Sequence, residues 1–334
     1  MLRSSRRQLS IRDFVLSYGF VIALVLVFIV YAVSTKHFLK LTNLMAILHT
    51  CAPTLIFASG LALVLMTGKL DISIGSIIFL ATATGGALMT RYNVSPWIAF
   101  PVMMLIGAVC GAINGFVVTV LKVNPFITTM GSMFVLRGIA LTVTTGVLVG
   151  IPDFLTDFGS ARIGPVFVDF PIALVFVFLV YLLHTRTKFG RYIMAIGNGE
   201  EVARRLGVRV ERVVFVAFLL SGLFASMGGI LSMAQVGGVS LHMGVGLEFT
   251  GIAACVIGGI SLFGGEGSFG RYVLGVLTLA VIENGLVHMG ASVYAYPFVR
   301  GGIIFIAMYA DTLKSLVQTK VKQTIEEPEP TGVG

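Results

Sequence analysis

The sequence predicts an all-α polytopic membrane protein of about ten transmembrane helices, with both termini cytoplasmic. Three observations predict it. Hydrophobic residues make up 57% of the 334 residues and charged ones 11%, against roughly 25% charge in a soluble domain. Apolar runs recur at lengths close to the roughly 20 residues that a helix needs to cross a bilayer. The basic residues collect in a few polar segments, as the positive-inside rule requires of a membrane chain.

Taken in order, the expected spans are 14–33, 44–66, 72–89, 97–120, 125–146, 168–183, 213–235, 249–263, 269–289 and 298–317. The first run is too long for a signal-peptide core and is expected to stay as a span. Spans 168–183 and 249–263 are the shortest, and either can be a broken or re-entrant segment buried in protein. With the N-terminus inside, Arg3, Arg6, Arg7, Arg12, Lys69, Lys122, Arg186, Lys188, Arg191, Arg204, Arg205, Arg209, Arg212, Arg271, Lys314, Lys320 and Lys322 fall on the cytoplasmic side. Only Lys36, Lys40, Arg91, Arg162 and Arg300 fall outside, and Arg137 lies within a span. An odd number of spans would put the large basic loop or a terminus outside. The chain thus divides into a cytoplasmic N-terminal segment 1–13, a transmembrane unit 14–317 with a cytoplasmic loop at 184–212, and a disordered cytoplasmic tail 318–334. The longest outer segment, Val147 to Asp169, is turn-rich and mildly acidic; it fits either a receptor for a soluble partner or a plain connection.

The net charge of +8 follows from this topology, with no soluble domain to present a basic face to nucleic acid. Cys51, Cys110 and Cys255 each sit inside an apolar run, which provides neither a disulfide framework nor a CxxC metal pair. No metal site is expected. Gly265, Gly267 and Gly270 satisfy GxGxxG but follow no strand, and GxxxxGK[ST] is absent, so the chain carries no nucleotide motif of its own. The glycine group is better explained as a tight interhelical turn. No assembled hydrolytic constellation is present among the scattered histidines, and the chain is not expected to be an enzyme.

Within the basic loop, Asn198 to Gly207 reads as a short helix. Asn198 is placed to cap it with Glu201 three residues on; Glu200 and Glu201 face the positive end, Arg204 and Arg205 the negative end, and Gly207 stops it. Val202, Ala203 and Leu206 form an apolar stripe, suited either to a groove on a partner or to lipid and the protein's own spans. Gly107, Gly111 and Gly115 put two GxxxG steps on one helix face, a pattern for close packing.

Polar residues within or at the ends of spans are costly in lipid and form the candidate solute path: Asp71, Ser73, Asn114, Asn124, Thr128, Arg137, Glu248, Glu283 and Asn284. Bland uses compete for several of them. Asp71 and Ser73 can cap the third helix, Lys69 can pair with Asp71, Glu248 can cap the eighth span, and Glu283 beside Asn284 is the expected acid partner of Arg137. Asp71, Arg137 and Glu283 also fit an ion or proton relay, so a secondary transporter of a polar metabolite is an alternative.

Four groups of residues resemble the permease subunits of bacterial binding-protein-dependent ABC importers, in the ribose/xylose/simple-sugar branch. They are Gly68-Lys69-Leu70-Asp71-Ile72-Ser73-Ile74-Gly75-Ser76; Phe126-Ile127-Thr128-Thr129-Met130-Gly131 with Phe134, Arg137 and Gly138; Thr187-Lys188-Phe189-Gly190-Arg191 through Ala195-Ile196-Gly197-Asn198; and Val256-Ile257-Gly258-Gly259 with Gly264, Gly265 and Gly267. The resemblance runs from about the second span to the tenth. It implies an inner-membrane subunit that moves a sugar or sugar-like solute inward, working as two permease copies, identical or homologous. It further implies a cytoplasmic ABC ATPase that holds the ATP and Mg, and a periplasmic or extracellular solute-binding protein. The stretch from Glu200 to Gly207 would be the coupling helix seated in the ATPase. The chain departs from the family pattern at Lys69, where Gly or Ile is common, at Gly197-Asn198-Gly199, and at Thr250 after Glu248.

Overall fold

The computed structural model describes residues 11–292, 294–306 and 309, with the backbone alone for 11–21 and 23. Helices dominate: α1 Ile11–Ser34, α2 Leu41–Met66, α3 Ile74–Arg91, α4 Pro96–Thr119, α5 Pro125–Thr144, α6 Asp153–Ser160, α7 Asp169–Arg186, α8 Lys188–Asn198, α9 Glu200–Arg205, α10 Val210–Val236, α11 Leu247–Ile257 and α12 Phe269–His288, then α13 Ala295–Ile306. The chain is helical as expected, and among the described residues four two-residue strands accompany the helices: β1 Val149–Gly150, β2 Arg162–Ile163, β3 Val166–Phe167 and β4 Gly238–Val239. They pair antiparallel as β1 with β4 and β2 with β3.

Among the described residues seven helices, α2, α3, α4, α5, α7, α10 and α12, are long and apolar enough to cross a membrane. The protein is a polytopic helical membrane protein. The expected eighth span, 249–263, is helical only in part: α11 has 11 residues, about 16 Å of rise against a hydrocarbon core of about 30 Å, the broken form that its length allowed. The chain reaches it through the irregular stretch after β4, and a glycine turn follows it. Of the expected tenth span only the part up to Ile306, together with residue 309, is described, and residues 1–10 and the tail 318–334 lie outside the described residues.

Proline and glycine punctuate the helices as their geometry dictates. Pro96 and Pro125 open α4 and α5 at positions where no backbone donor is needed. Gly237 closes α10 in the left-handed region, at φ 75°. Pro53 stands in mid-α2, where its missing N–H leaves the His49 carbonyl without a helical partner. The Gln235 amide from α10 donates to that carbonyl at 2.7 Å, and it also bonds the Asp169 carboxylate of α7. His49 Nδ1 approaches the same carboxylate at 2.6 Å. Replacing Gln235 by leucine is therefore expected to lower stability by about 1–3 kcal/mol, because a part-buried carbonyl loses its donor. A thermal melt in detergent checks this.

The buried centre is α2, α3 and α10. Helix α10 packs mainly on α4 and α2, α3 carries α5, and α12 rests on α11, α2 and α1. Close approach of α4 to α10 depends on glycine. A Cβ at Gly107 would overlap the Gly222 carbonyl, one at Gly111 the Phe218 carbonyl, and one at Gly115 would press on the Phe215 carbonyl at 3.1 Å. Helix α5 is different, with only Thr128, Thr129, Ala140 and Thr144 buried, while Phe126, Ile127, Phe134, Val135 and Ile139 are exposed.

Candidate functional site

Polar chemistry concentrates at one end of the bundle, where α8, α9, the 67–73 connection, the α4–α5 connection and the 258–268 turn meet. The basic loop is not one short helix but two. Helix α8, absent from the sequence expectation, buries Gly190, Ile193 and Ile196; its glycine lets the chain turn against the His184 backbone. Thr187 Oγ1 accepts from the Phe189 amide to start it.

Asn198 is corrected as a cap. It ends α8, its amide donates to the Met194 carbonyl at 2.8 Å and the Gly265 carbonyl at 3.0 Å, and the residue before α9 is Gly199. The side chain thus pins the loop to the glycine turn. Gly264, Gly265 and Gly267 all take positive φ there, and Gly265 donates to the Met66 carbonyl. Gly207 does stop α9, at φ 81°. The apolar stripe divides: Ala203 is buried under α9, while Val202 and Leu206 stand 61% and 75% exposed. Two exposed aliphatic side chains beside a Glu201–Arg205 pair at 3.1 Å leave a mixed face that nothing covers among the described residues.

Lys69 is corrected too. It pairs not with Asp71 but with Glu200, at 3.0 Å. Glu200 also takes Arg204 at 2.8 Å, Arg204 reaches Glu211 at 2.5 Å, and Glu211 takes Lys122 at 2.9 Å. Lys122, at the α4–α5 connection, and Glu211, in the first turn of α10, were not legible as site residues. Hydrogen bonding from Arg204, then from Lys69, holds the Glu200 carboxyl below its ordinary value of 4.5. A lowered carboxylate pKa means that the pairing is intact above that value and is lost only as pH falls through the lower one.

Asp71 is fully buried and accepts from the Ser73 amide at 3.1 Å, the Ser73 hydroxyl at 2.6 Å and the Ser221 hydroxyl at 2.8 Å. No side-chain cap of α3 results. Asn114 donates to Ser73 Oγ at 2.9 Å, and Ser132 donates to Asn114 Oδ1 at 2.5 Å. One network therefore joins the 67–73 connection, α4, α5 and α10. Ser132 and Ser221 escaped the sequence reading because serines in apolar helices are ordinary.

The other candidates scatter. Asn124 caps α5, accepting from the Phe126 amide at 2.9 Å, and Thr128 Oγ1 is buried with no hydrogen-bond partner among the described residues. Arg137 is not paired with Glu283. It donates to the Met243 carbonyl at 3.2 Å and lies 5.2 Å from the Phe79 ring, so it satisfies a backbone group in the irregular stretch before α11. Glu283 binds Arg300 at 2.6 Å. Asn284 exchanges two 3.0 Å hydrogen bonds with Asn43. Glu248 is not the cap of α11 but a residue of its first turn, buried against Gly75. Between the 67–73 connection, α5, α11 and α13 lies a cavity of about 440 Å³ bordered by Lys69, Asn124, Phe126, Phe249, Phe263 and Ile304.

The fold and site define a polytopic helical membrane protein with a short, ion-paired helix at one end of its bundle. The chain belongs to the family described as branched-chain amino acid transport system / permease component, whose model matches residues 43–308. It is 33% identical over 299 residues to the ribose import permease protein RbsC of Escherichia coli, covering 88% of this chain and 92% of that one. It is 34% identical to the galactose/methyl galactoside import permease protein MglC of Salmonella typhimurium, covering 83% and 88%. It is 33% identical to the L-arabinose transport system permease protein AraH of Escherichia coli, covering 92% and 93%. No solved structure matches.

Proposed function

We propose that this chain is the membrane-spanning permease subunit of an ATP-driven importer that carries a sugar or sugar-like solute into the cytoplasm. Relatives named for ribose import, galactose/methyl galactoside import and L-arabinose transport support the solute class. The observation that carries the mechanism is α9, whose Val202 and Leu206 are uncovered while its acids and arginines are fixed by ion pairs. An ATPase supplied in trans holds the ATP and Mg, grips α9, and drives a two-state rocking of the helices. A solute-binding protein delivers from the opposite side, and a second permease copy meets the exposed face of α5. The chain sits in the bacterial inner membrane with about ten crossings, counting α1, the stretch through α11 and the last helix, and both termini are cytoplasmic. Asp71, Thr128, Arg137 and Glu248 border or support the route rather than acting as a proton relay.

The test is the double variant Glu201→Ala with Arg205→Ala. Both side chains are 77% exposed, so losing their pair costs at most about 1 kcal/mol of stability. In proteoliposomes with the ATPase and binding protein, insertion should be normal while ATP-driven sugar uptake falls by about tenfold or more, as for an interface anchor. Wild-type uptake by this variant would remove α9 as the coupling element, and uptake by the permease alone in an ion gradient would overturn the reading entirely.

A further inference from the structure

We infer that Lys69, Glu200, Arg204, Glu211 and Lys122 form a five-member ion-pair chain that transmits the movement of α9 to α5, with Lys69 and Lys122 as its two positioning residues. The inference rests on the proposed permease reading and deepens it.

The chain is continuous. From Lys69 it runs to Glu200 at 3.0 Å, to Arg204 at 2.8 Å, to Glu211 at 2.5 Å and to Lys122 at 2.9 Å. Glu200 and Arg204 belong to α9, so the helix is held from two sides by side chains of other elements. Between them lies a cleft of about 180 Å³, bordered by all five charged residues and by Val118, Asn124 and Val214.

Both arms end on α5. Lys122 precedes Pro125, the first residue of α5, by three positions, with Asn124 capping that helix between them. Lys69 precedes Asp71 by two, and Asp71 leads through Ser73 and Asn114 to Ser132, a residue of α5 about two turns from its start. Among the seven described candidate spans α5 is also the one with the smallest buried share, 11%, and it bears Arg137. An element with one flank free of its own chain and tied at two points moves when its ties move; a rigid network with two arrangements is what coupling requires.

Stability is a poor explanation of the chain. The Lys122 side chain is 59% exposed and Glu211 39%, and exposed pairs contribute little to folding. What the charges provide is direction: α9 cannot shift without drawing on the starts of α3, α5 and α10.

The experiment uses the full complex of this chain, its ATPase and its binding protein in proteoliposomes. Uptake of radiolabelled ribose, galactose and arabinose is measured beside phosphate release. Lys69→Met and Lys122→Met should each leave ATP hydrolysis running while sugar moved per ATP falls by about threefold or more, the scale of mutations along a coupling network. Lys69→Arg and Lys122→Arg should restore the ratio, which a loss of folding would not allow. If Lys69→Met fails to insert, Lys122→Met decides alone, since its side chain reaches into solvent. An unchanged ratio in Lys122→Met overturns the inference while leaving the permease reading intact. Wild-type complex that shows no ATP-dependent uptake of any of the three sugars overturns the sugar-permease reading and the inference with it.

Discussion

Gly111→Leu is expected to abolish most folded protein, seen as loss of the monodisperse peak when membranes are solubilised in detergent. The position lies where α4 and α10 touch backbone to backbone, and a Cβ there would overlap the Phe218 carbonyl and come within 3.1 Å of Leu219 Cα. Backbone cannot rotate aside as a side chain can. Overpacking a core by a few methylenes already costs about 1–3 kcal/mol, and here the helices would have to separate. Lipid tails offer no hydrophobic drive to hold them together at the greater distance, because helix association in a bilayer depends on close contact. Gly131 on α5 has open space where a Cβ would stand, with nothing within 4 Å, so Gly131→Ala should be recovered at the wild-type yield. Equal yields for Gly111→Leu and Gly131→Ala would mean that the close approach of α4 to α10 does not hold the bundle together.

Asp71→Ala is expected to be the most damaging polar substitution. It removes the shared acceptor of the Ser73 amide, the Ser73 hydroxyl and the Ser221 hydroxyl, all buried. A buried donor left without its partner costs about 1–3 kcal/mol, and three are orphaned together in a region that excludes water. A fall in the detergent melting temperature, large for Asp71→Ala and smaller for Asp71→Asn, which keeps one carbonyl acceptor, is the expected result. A wild-type melt for Asp71→Ala would show that the network is no stabilising element. The two substitutions also separate packing from polarity, since Gly111 and Asp71 act on the same helix, α10, through different forces.

How far the site could be read ahead of the fold depended on the range of the interaction. The glycine spacing at 107, 111 and 115 is periodic along one helix, and periodicity is a local property; the face it marks is the face turned to α10. The acids and arginines of α9 were visible for the same reason, being four residues apart. Partners distant in the chain were not. Lys69 lies two residues from Asp71 but binds Glu200, 131 positions away, and Glu283 takes Arg300, 17 positions on and beyond the end of its own helix. Asn198 had the right identity for a cap and the wrong place, because Gly199 breaks the helix and frees its amide for Gly265.

Composition and periodicity alone determined that this chain is a helical, many-span membrane protein with one basic, helix-bearing loop, because burial in lipid acts on every residue of a span and leaves its mark in each run. Only the tertiary structure decided that the span at 249–263 is half a helix, that Arg137 serves a backbone carbonyl, and that five charges from four segments join into one chain. Those outcomes depend on which helices lie side by side, and in a bilayer that choice rests on close packing and single polar contacts, which no local pattern records.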